Sequence, residues 1–275
     1  MKVTVLLVVY NGAAYLDECL ESIVRQTFAD FELLVIDDGS TDDSRNVVRE
    51  FQDERIRLIL NNHDYIASLN LGLRESQGEY IARMDADDIM YPHRLEKQVA
   101  ILDSHPEVVA CMSWARTFGL AETELRQGNG LVMDALAELL HGNFLIHPTA
   151  MLRKSFLASQ KLQYKNYPYA EDYKLWADMA LGEAHFWVIP ECLLKYRVSP
   201  HQVSCKYAKE QGNTAVRIRN EILLALLNDG QNKQIKHLQD IYLILERLNA
   251  NGVLTSSSIR EIMHILFKET RMTRK

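Results

Sequence analysis

The chain opens on an apolar run over residues 3–10, interrupted only by Thr4, that stops at Asn11-Gly12. A run this short and nearly continuous reads as a strand buried on both faces. Apolar residues then recur at Leu16, Cys19, Leu20, Ile23 and Val24, the spacing of one helical face, which predicts a helix over 15–26. The two patterns go on alternating. Strands are predicted over 31–36, 56–60 and 80–84, separated by helices over 42–52, with Val47, Val48 and Phe51 inward, and 68–76. Pro92 opens another helix, because its missing N–H is harmless in a first turn, and Leu95, Val99 and Leu102 mark the inward face. A fifth strand follows over 108–112.

From about residue 114 the alternation weakens. Gly128-Asn129-Gly130 marks a turn, 134–140 reads as helix and 149–152 as strand. A helix over 171–181 carries Leu175, Trp176 and Met179 on one face, and a strand follows over 186–189. After Cys205 the pattern is helical only, over 207–229, 231–249 and 257–270. The fold class expected is therefore α/β, a mainly parallel sheet with helices on both faces, in a domain spanning 1–205, plus an all-helical extension over 206–275.

Composition narrows the classes. An apolar fraction of 47% in 275 residues supports a large buried core. A net charge of −6 without a long basic run argues against a nucleic-acid partner, which needs a basic face to neutralise phosphates. The cysteines, Cys19, Cys111, Cys192 and Cys205, form no Cys-x-x-Cys pair and match no zinc spacing, so reduced thiols and a cytoplasmic location are expected. The apolar start fits a first strand better than a signal peptide. No stretch reaches the roughly 18 apolar residues of a membrane span, so any membrane contact would be peripheral.

In sheets of this kind ligands bind beyond the carboxyl ends of strands. Three clusters fall there: Tyr10-Asn11-Gly12, Asp37-Asp38-Gly39-Ser40, and Asp85-Ala86-Asp87-Asp88. Carboxylates crowded into one turn suit a hard cation, Mn²⁺ or Mg²⁺, and would repel each other without one. The competing reading is a solvated turn in which Asp88 helps cap the helix at Pro92. A carboxylate in the second cluster could accept a hydrogen bond from a nucleobase imide; alternatively Ser40 or Thr41 simply caps the next helix. Glu171-Asp172 begins a helix, where the dipole favours acids in any protein, yet Asp172 is chemically fit to be a general base. Arg197, His201 and Ser204 could contact a diphosphate, or His201 could ligate the metal; as a polar loop they would do neither. His147 before Pro148 reads as a loop residue, and Trp176 as core.

Together these segments resemble the family 2 glycosyltransferases, which have the GT-A fold. The likeness runs from Val3 to about Ser204. It is carried by Val8-Val9-Tyr10-Asn11-Gly12, Arg25-Gln26-Thr27-Phe28, Val35-Ile36-Asp37-Asp38-Gly39-Ser40 and Arg83-Met84-Asp85-Ala86-Asp87-Asp88. His147-Pro148, Glu171-Asp172-Tyr173-Lys174-Leu175-Trp176, and Tyr196-Arg197 with His201 and Ser204 complete it. The resemblance implies a nucleotide-sugar-binding half over 1–113 and an acceptor half over 114–205. Val8, Tyr10, Asn11, Asp38, Arg83, Asp85, Ala86, Asp88 and His201 would bind the donor nucleotide, with Asp38 facing the base. Asp85 and Asp87 would form the Asp-x-Asp element, with Asp87, Asp85 and His201 as metal ligands and Asp87 foremost. Asp172 would deprotonate the acceptor hydroxyl in a single inverting displacement. The implied donor is a nucleotide sugar, UDP-linked on family grounds. The implied acceptor is a saccharide or lipid-linked saccharide of bacterial surface-polysaccharide synthesis.

The stretch Asn61-Asn62-His63-Asp64-Tyr65-Ile66 departs from the family pattern, which usually carries a Gly near Asp64; the added carboxylate either tunes donor choice or points away from the donor. Beyond the match, Ile259, Ile262, Met263, Leu266 and Phe267 form an apolar stripe, and residues 256–275 hold five Lys and Arg against two Glu. Such a helix could lie at the inner face of the cytoplasmic membrane, or pack on the catalytic domain or on a second subunit of a homo-oligomer, as amphipathic helices by default do. Two other classes fit less well. A nucleotidyltransferase would carry a basic Gly-rich loop where this chain has Asn11-Gly12-Ala13-Ala14. A non-catalytic carbohydrate- or nucleotide-binding relative would be expected to have lost Asp87 or Asp172, and both are present.

Overall fold

The computed structural model describes residues 1–199 and 206–228, with scattered positions between 245 and 262. His201, Ser204, Cys205 and most of the 259–272 stripe lie outside the described residues.

The first half follows the apolar pattern closely. Strands β1 (Val3–Val9), β2 (Phe31–Asp37), β3 (Ile56–Leu60) and β4 (Tyr80–Asp85) alternate with helices α1 (Ala13–Val24), α2 (Ser44–Glu50) and α3 (Tyr65–Glu75). They pair in the order β3-β2-β1-β4, all parallel. Side chains of β1 point alternately to the two faces, as strand geometry requires. Val3, Val5, Leu7 and Val9 pack with Leu16, Leu20 and Ile23 of α1; Leu6 and Val8 join Leu34, Ile36 and Leu69 on the other face. Being apolar on both sides is what makes β1 a central strand.

Beyond β4 the sheet becomes mixed. After the two-residue β5 (Ile89–Met90) come α4 (Arg94–Ser104), β6 (Val108–Gly119), β7 (Glu124–Leu125), β8 (Gly130–Val132), α5 (Ala135–His141) and a 3₁₀ turn at His147–Thr149. Then follow β9 (Met151–Arg153), α6 (Lys154–Ser159), α7 (Glu171–Leu181), β10 (His185–Val198) and α8 (Ala208–Asn228). β9 joins β4 to β6 antiparallel to both, β10 runs parallel to β6, and β5 closes the edge. The expectation of a mainly parallel sheet thus holds for the first half and gives way to a mixed arrangement in the second.

Two strands are much longer than their apolar runs. β6 continues through Ser113 to Gly119, and β10 extends on both sides of 186–189. Pro190 interrupts the apolar run of β10, and the chain absorbs it with register irregularities between Ile189 and Cys192 and between Cys192 and Leu194. Tyr196 and Arg197 therefore sit on a strand rather than a polar loop. β6 crosses residues 113 and 114, so one sheet serves both halves of the α/β domain.

The start of the C-terminal extension packs on this domain. Ile218, Ile222 and Leu223 of α8 are buried with residues of α5 and α7, each contributing about 1.5–3 kcal/mol of apolar burial. Glu221 accepts the Tyr167 hydroxyl at 2.8 Å and pairs with Lys174 at 2.9 Å. Among the described residues no helix is long and apolar enough to cross a membrane.

Candidate active site

Strand register places the three clusters along one edge. Val9 is level with Asp37 across β1 and β2, and Val8 with Asp85 across β1 and β4. Neighbouring strands lie about 4.8 Å apart, so the turns after β1, β2 and β4 share one rim.

The first two turns are stitched together. Asn11, at φ +50°, offers its side-chain oxygen to the amides of Thr41 at 2.8 Å and Asp42 at 3.3 Å. In return Ser40 Oγ, Ser44 Oγ and Asp42 Oδ2 accept the backbone N–H groups of Asn11, Gly12 and Ala13. Ser40 and Thr41 are thus committed to the β1 turn and cap no helix; α2 begins after Asp43. Asn11 shapes the pocket through this latch. Gly39 adopts φ +82°, and a Cβ there would meet the His63 amide nitrogen at 3.0 Å.

Asp38 is buried, and its Oδ1 accepts the Asp64 amide at 2.8 Å and the Ser68 hydroxyl at 2.7 Å. Tyr10, 47% exposed, lies against His63 with ring centroids 4.1 Å apart and the planes tilted by 30°. This ledge and the Asp38 carboxylate have the form of a nucleobase seat. Asp64, the departure from the family pattern, caps α3 by accepting the Ala67 amide at 2.9 Å. Its place in the chain is thus explained by local helix chemistry.

The acidic turn is held from behind. Arg83, only 1% exposed, pairs with Asp85 Oδ1 at 2.7 Å and donates to the Tyr65 hydroxyl at 2.7 Å. It supports the turn from inside the fold. Asp88, also 1% exposed, accepts the Arg197 amide at 2.8 Å and does not cap α4, whose N-cap is His93. The Arg197 guanidinium lies between the Tyr15 and Phe118 rings and donates to the Asp87 carbonyl at 2.8 Å and to Glu18 at 2.9 Å. It clamps the turn instead of reaching outward.

Charge is crowded here. Burial, then the charge of Asp85, pushes Asp87 up to about 6; burial, then Asp85 and Asp87, holds Asp88 well above the carboxylate range. Asp88 Oδ2 is buried without a hydrogen-bond partner. Hard oxygen donors under mutual repulsion, with one orphaned, fit a divalent cation. Among the described residues no group of three His, Cys, Asp or Glu side chains is arranged to hold one unaided, so the turn offers a partial ligand set.

The start of α7 supplies the remaining carboxylates. Asp172 accepts the Tyr173 amide and Asn143 Nδ2, both at 2.7 Å. Burial raises it, against the hydrogen bonds from Tyr173 and Asn143; burial, then Asp172, raises Glu171. The Tyr196 phenol, raised first by burial, also feels Asp85, Asp88, Asp87 and Asp172, which ties α7 to the acidic turn. His147 makes a 2.8 Å hydrogen bond with the Tyr164 hydroxyl and meets Trp176 edge-on at 6.0 Å. Trp176 is core, as expected.

Sequence reasoning missed Asn143, Tyr65, Tyr164 and Glu18. Each is a lone polar or aromatic residue outside any motif, brought in by tertiary contact alone.

Comparison with known proteins agrees with this geometry. The family model described as glycosyl transferase family 2 matches residues 4–159. An uncharacterised glycosyltransferase of Haemophilus influenzae is 36% identical over 92% of this chain and 89% of that protein. The putative glycosyltransferase EpsE of Bacillus subtilis is 43% identical over 38% of this chain and 39% of its own. The chain belongs to glycosyl transferase family 2 and is a glycosyltransferase. S. aureus TarS 1-349 in complex with UDP-GlcNAc shares the fold, with a TM-score of 0.69 at 19% identity, covering 86% of this chain and 70% of that one. The mannosyltransferase PcManGT of Pyrobaculum calidifontis, in complex with GDP-Man and Mn²⁺, gives 0.60 at 17% identity over 96% and 86%. The fold is accordingly GT-A-like.

Proposed function

We propose that the protein is an inverting transferase that moves a sugar from a UDP-linked donor to an acceptor hydroxyl in the assembly of a bacterial cell-surface polysaccharide or glycolipid. What supports this reading is the shared rim of the Tyr10–Asp38 pair and the Asp85–Asp88 turn, with the Asp172 carboxylate near enough that both act on the Tyr196 phenol. UDP is favoured by the family resemblance and by the UDP-GlcNAc complex of TarS. Tyr10 and His63 stack on the base, and the second oxygen of Asp38 accepts its imide N–H. Val8 and Ala86 line the floor, and Arg83 fixes Asp85. Asp87 and Asp85, with His201 from outside the described residues, would hold Mn²⁺ or Mg²⁺, which supplies neutralisation of the diphosphate as the sugar leaves. Asp172 takes the acceptor proton, so one base and one stabilised leaving group suffice for an in-line displacement.

The test is thermal. UDP is expected to raise the Tm only when Mn²⁺ or Mg²⁺ is present. A shift indifferent to the metal, or none with UDP, GDP or dTDP, would contradict the donor reading.

Asn143 is a positioning residue for the base. Its N–H favours the ionised form of Asp172, so Asn143→Ala should raise the Asp172 pKa further. A base works only when ionised, so the rate falls as pH falls through that pKa. The acid limb of the nucleotide-sugar turnover profile should therefore move to higher pH in the variant, with the rate recovering above it. A uniform loss at every pH would assign Asn143 a merely structural role.

A further inference from the structure

Beside the base lies a cavity that the donor reading leaves unused. It has a volume of about 530 Å³, within the range of small-molecule sites. It is bounded by the turn between β7 and β8, by β8, and by α5 with the segment that follows it. Asn143 is in its wall, and the same Asn143 amide holds Asp172 Oδ2. The cavity is thus one hydrogen bond from the group that would deprotonate the acceptor.

Its chemistry is specific. Three primary amides line it, Gln127, Asn129 and Asn143, alongside the apolar surfaces of Leu131 and Phe144. Gln127 Oε1 is buried without a hydrogen-bond partner, an acceptor that a ligand hydroxyl would satisfy. Amides offer donor and acceptor together, which suits hydroxyl groups that are both. Anions are poorly served. Among the described lining residues Arg126 is the permanent cation. The Arg126 guanidinium is engaged by Glu124 through 2.8 and 2.6 Å bonds and lies over the Trp114 ring. A phosphate or uronate would have to displace Glu124 from Arg126.

The geometry points to this cavity as the acceptor subsite, built for an uncharged hydroxylated saccharide and against phosphate- or carboxylate-bearing sugars. The inference rests on Asp172 being the base and deepens that reading by naming the acceptor class. It also makes Gln127 and Asn129 specificity determinants.

The test is saturation-transfer NMR on the full chain with UDP and Mn²⁺ present. The probes are lactose, maltose, cellobiose and chitobiose, with glucuronic acid and glucose 6-phosphate as anionic counterparts. At least one neutral disaccharide should bind, and neither anion should. Gln127→Leu should weaken the neutral sugar by about three- to tenfold. Asn129→Trp, at an exposed wall position that leaves the core intact, should abolish its signal by filling the cavity. Undiminished binding to Asn129→Trp would move the acceptor elsewhere. Preferential binding of glucose 6-phosphate or glucuronic acid would overturn the neutral class. A Tm shift by UDP with no sugar bound would overturn this inference and leave the donor reading standing; no shift by UDP would remove both.

Discussion

Asp172→Asn should slow sugar transfer by about two to four orders of magnitude while UDP binding stays intact. The substitution preserves shape. The asparagine oxygen can still accept the Tyr173 amide, now at 2.7 Å, so the first turn of α7 keeps its bond. What disappears is the ability to take a proton, and with it the bond from Asn143 Nδ2, which an amide NH2 cannot accept. The proposed nucleotide seat, Tyr10, His63 and Asp38, makes no hydrogen bond to α7, so the metal-dependent Tm shift should match that of the unaltered protein. Glu171 is the internal control. It is next in sequence, raised by burial and by Asp172, and chemically able to act as a base. Normal turnover by Asp172→Asn, with loss in Glu171→Gln, would transfer the role to Glu171.

Asp87→Ala should abolish the metal-dependent part of UDP binding. At a ligand concentration about 100 times Kd, binding stabilises the folded state by about 2.7 kcal/mol, and that increment should vanish from the Tm measured with UDP and Mn²⁺. The unliganded variant should not be less stable. Asp87 is pushed up to about 6 by burial and by Asp85, so its folded-state pKa lies above its unfolded one. Such a carboxylate destabilises the fold once ionised, and the alanine relieves this above pH 6. Under the proposed function this carboxylate would serve ligand binding at a cost in stability. An undiminished Tm shift in Asp87→Ala would remove it as a ligand.

The first half of the domain was legible because its signals are local. Each strand end coincides with an apolar run stopping at a polar turn, and parallel pairing puts those turns on one rim without further information. The positions of Asp38 and Asp85 at that edge could be read from the pattern alone. The second half was less legible for a physical reason. β6 beyond Met112 and β10 beyond Pro190 are half-buried, carry polar residues such as Arg116, Glu191 and Lys195, and owe their strand conformation to each other. Nothing local to 113–119 announces a partner some 75 residues away. The same holds for Asn143 and Asp172, whose hydrogen bond is a purely tertiary fact. Asp88 shows the reverse: helix-capping logic offered a local use, and a strand from the far end of the domain claimed it instead.

β10 has a consequence for how such a chain can change over time. Arg197 reaches Asp88, the Asp87 carbonyl and Glu18 only because the irregular stretch around Pro190 sets its register against β6. Loss or gain of one residue anywhere between that stretch and Arg197 would turn its side chain to the opposite face of the sheet. Insertions and deletions there should therefore be purged among functional descendants, while the neighbouring β7–β8 turn remains free to vary in length. The acidic turn would then be inherited as a unit with a strand more than a hundred residues downstream, and the wall of the cavity beside it would be the part that diversifies.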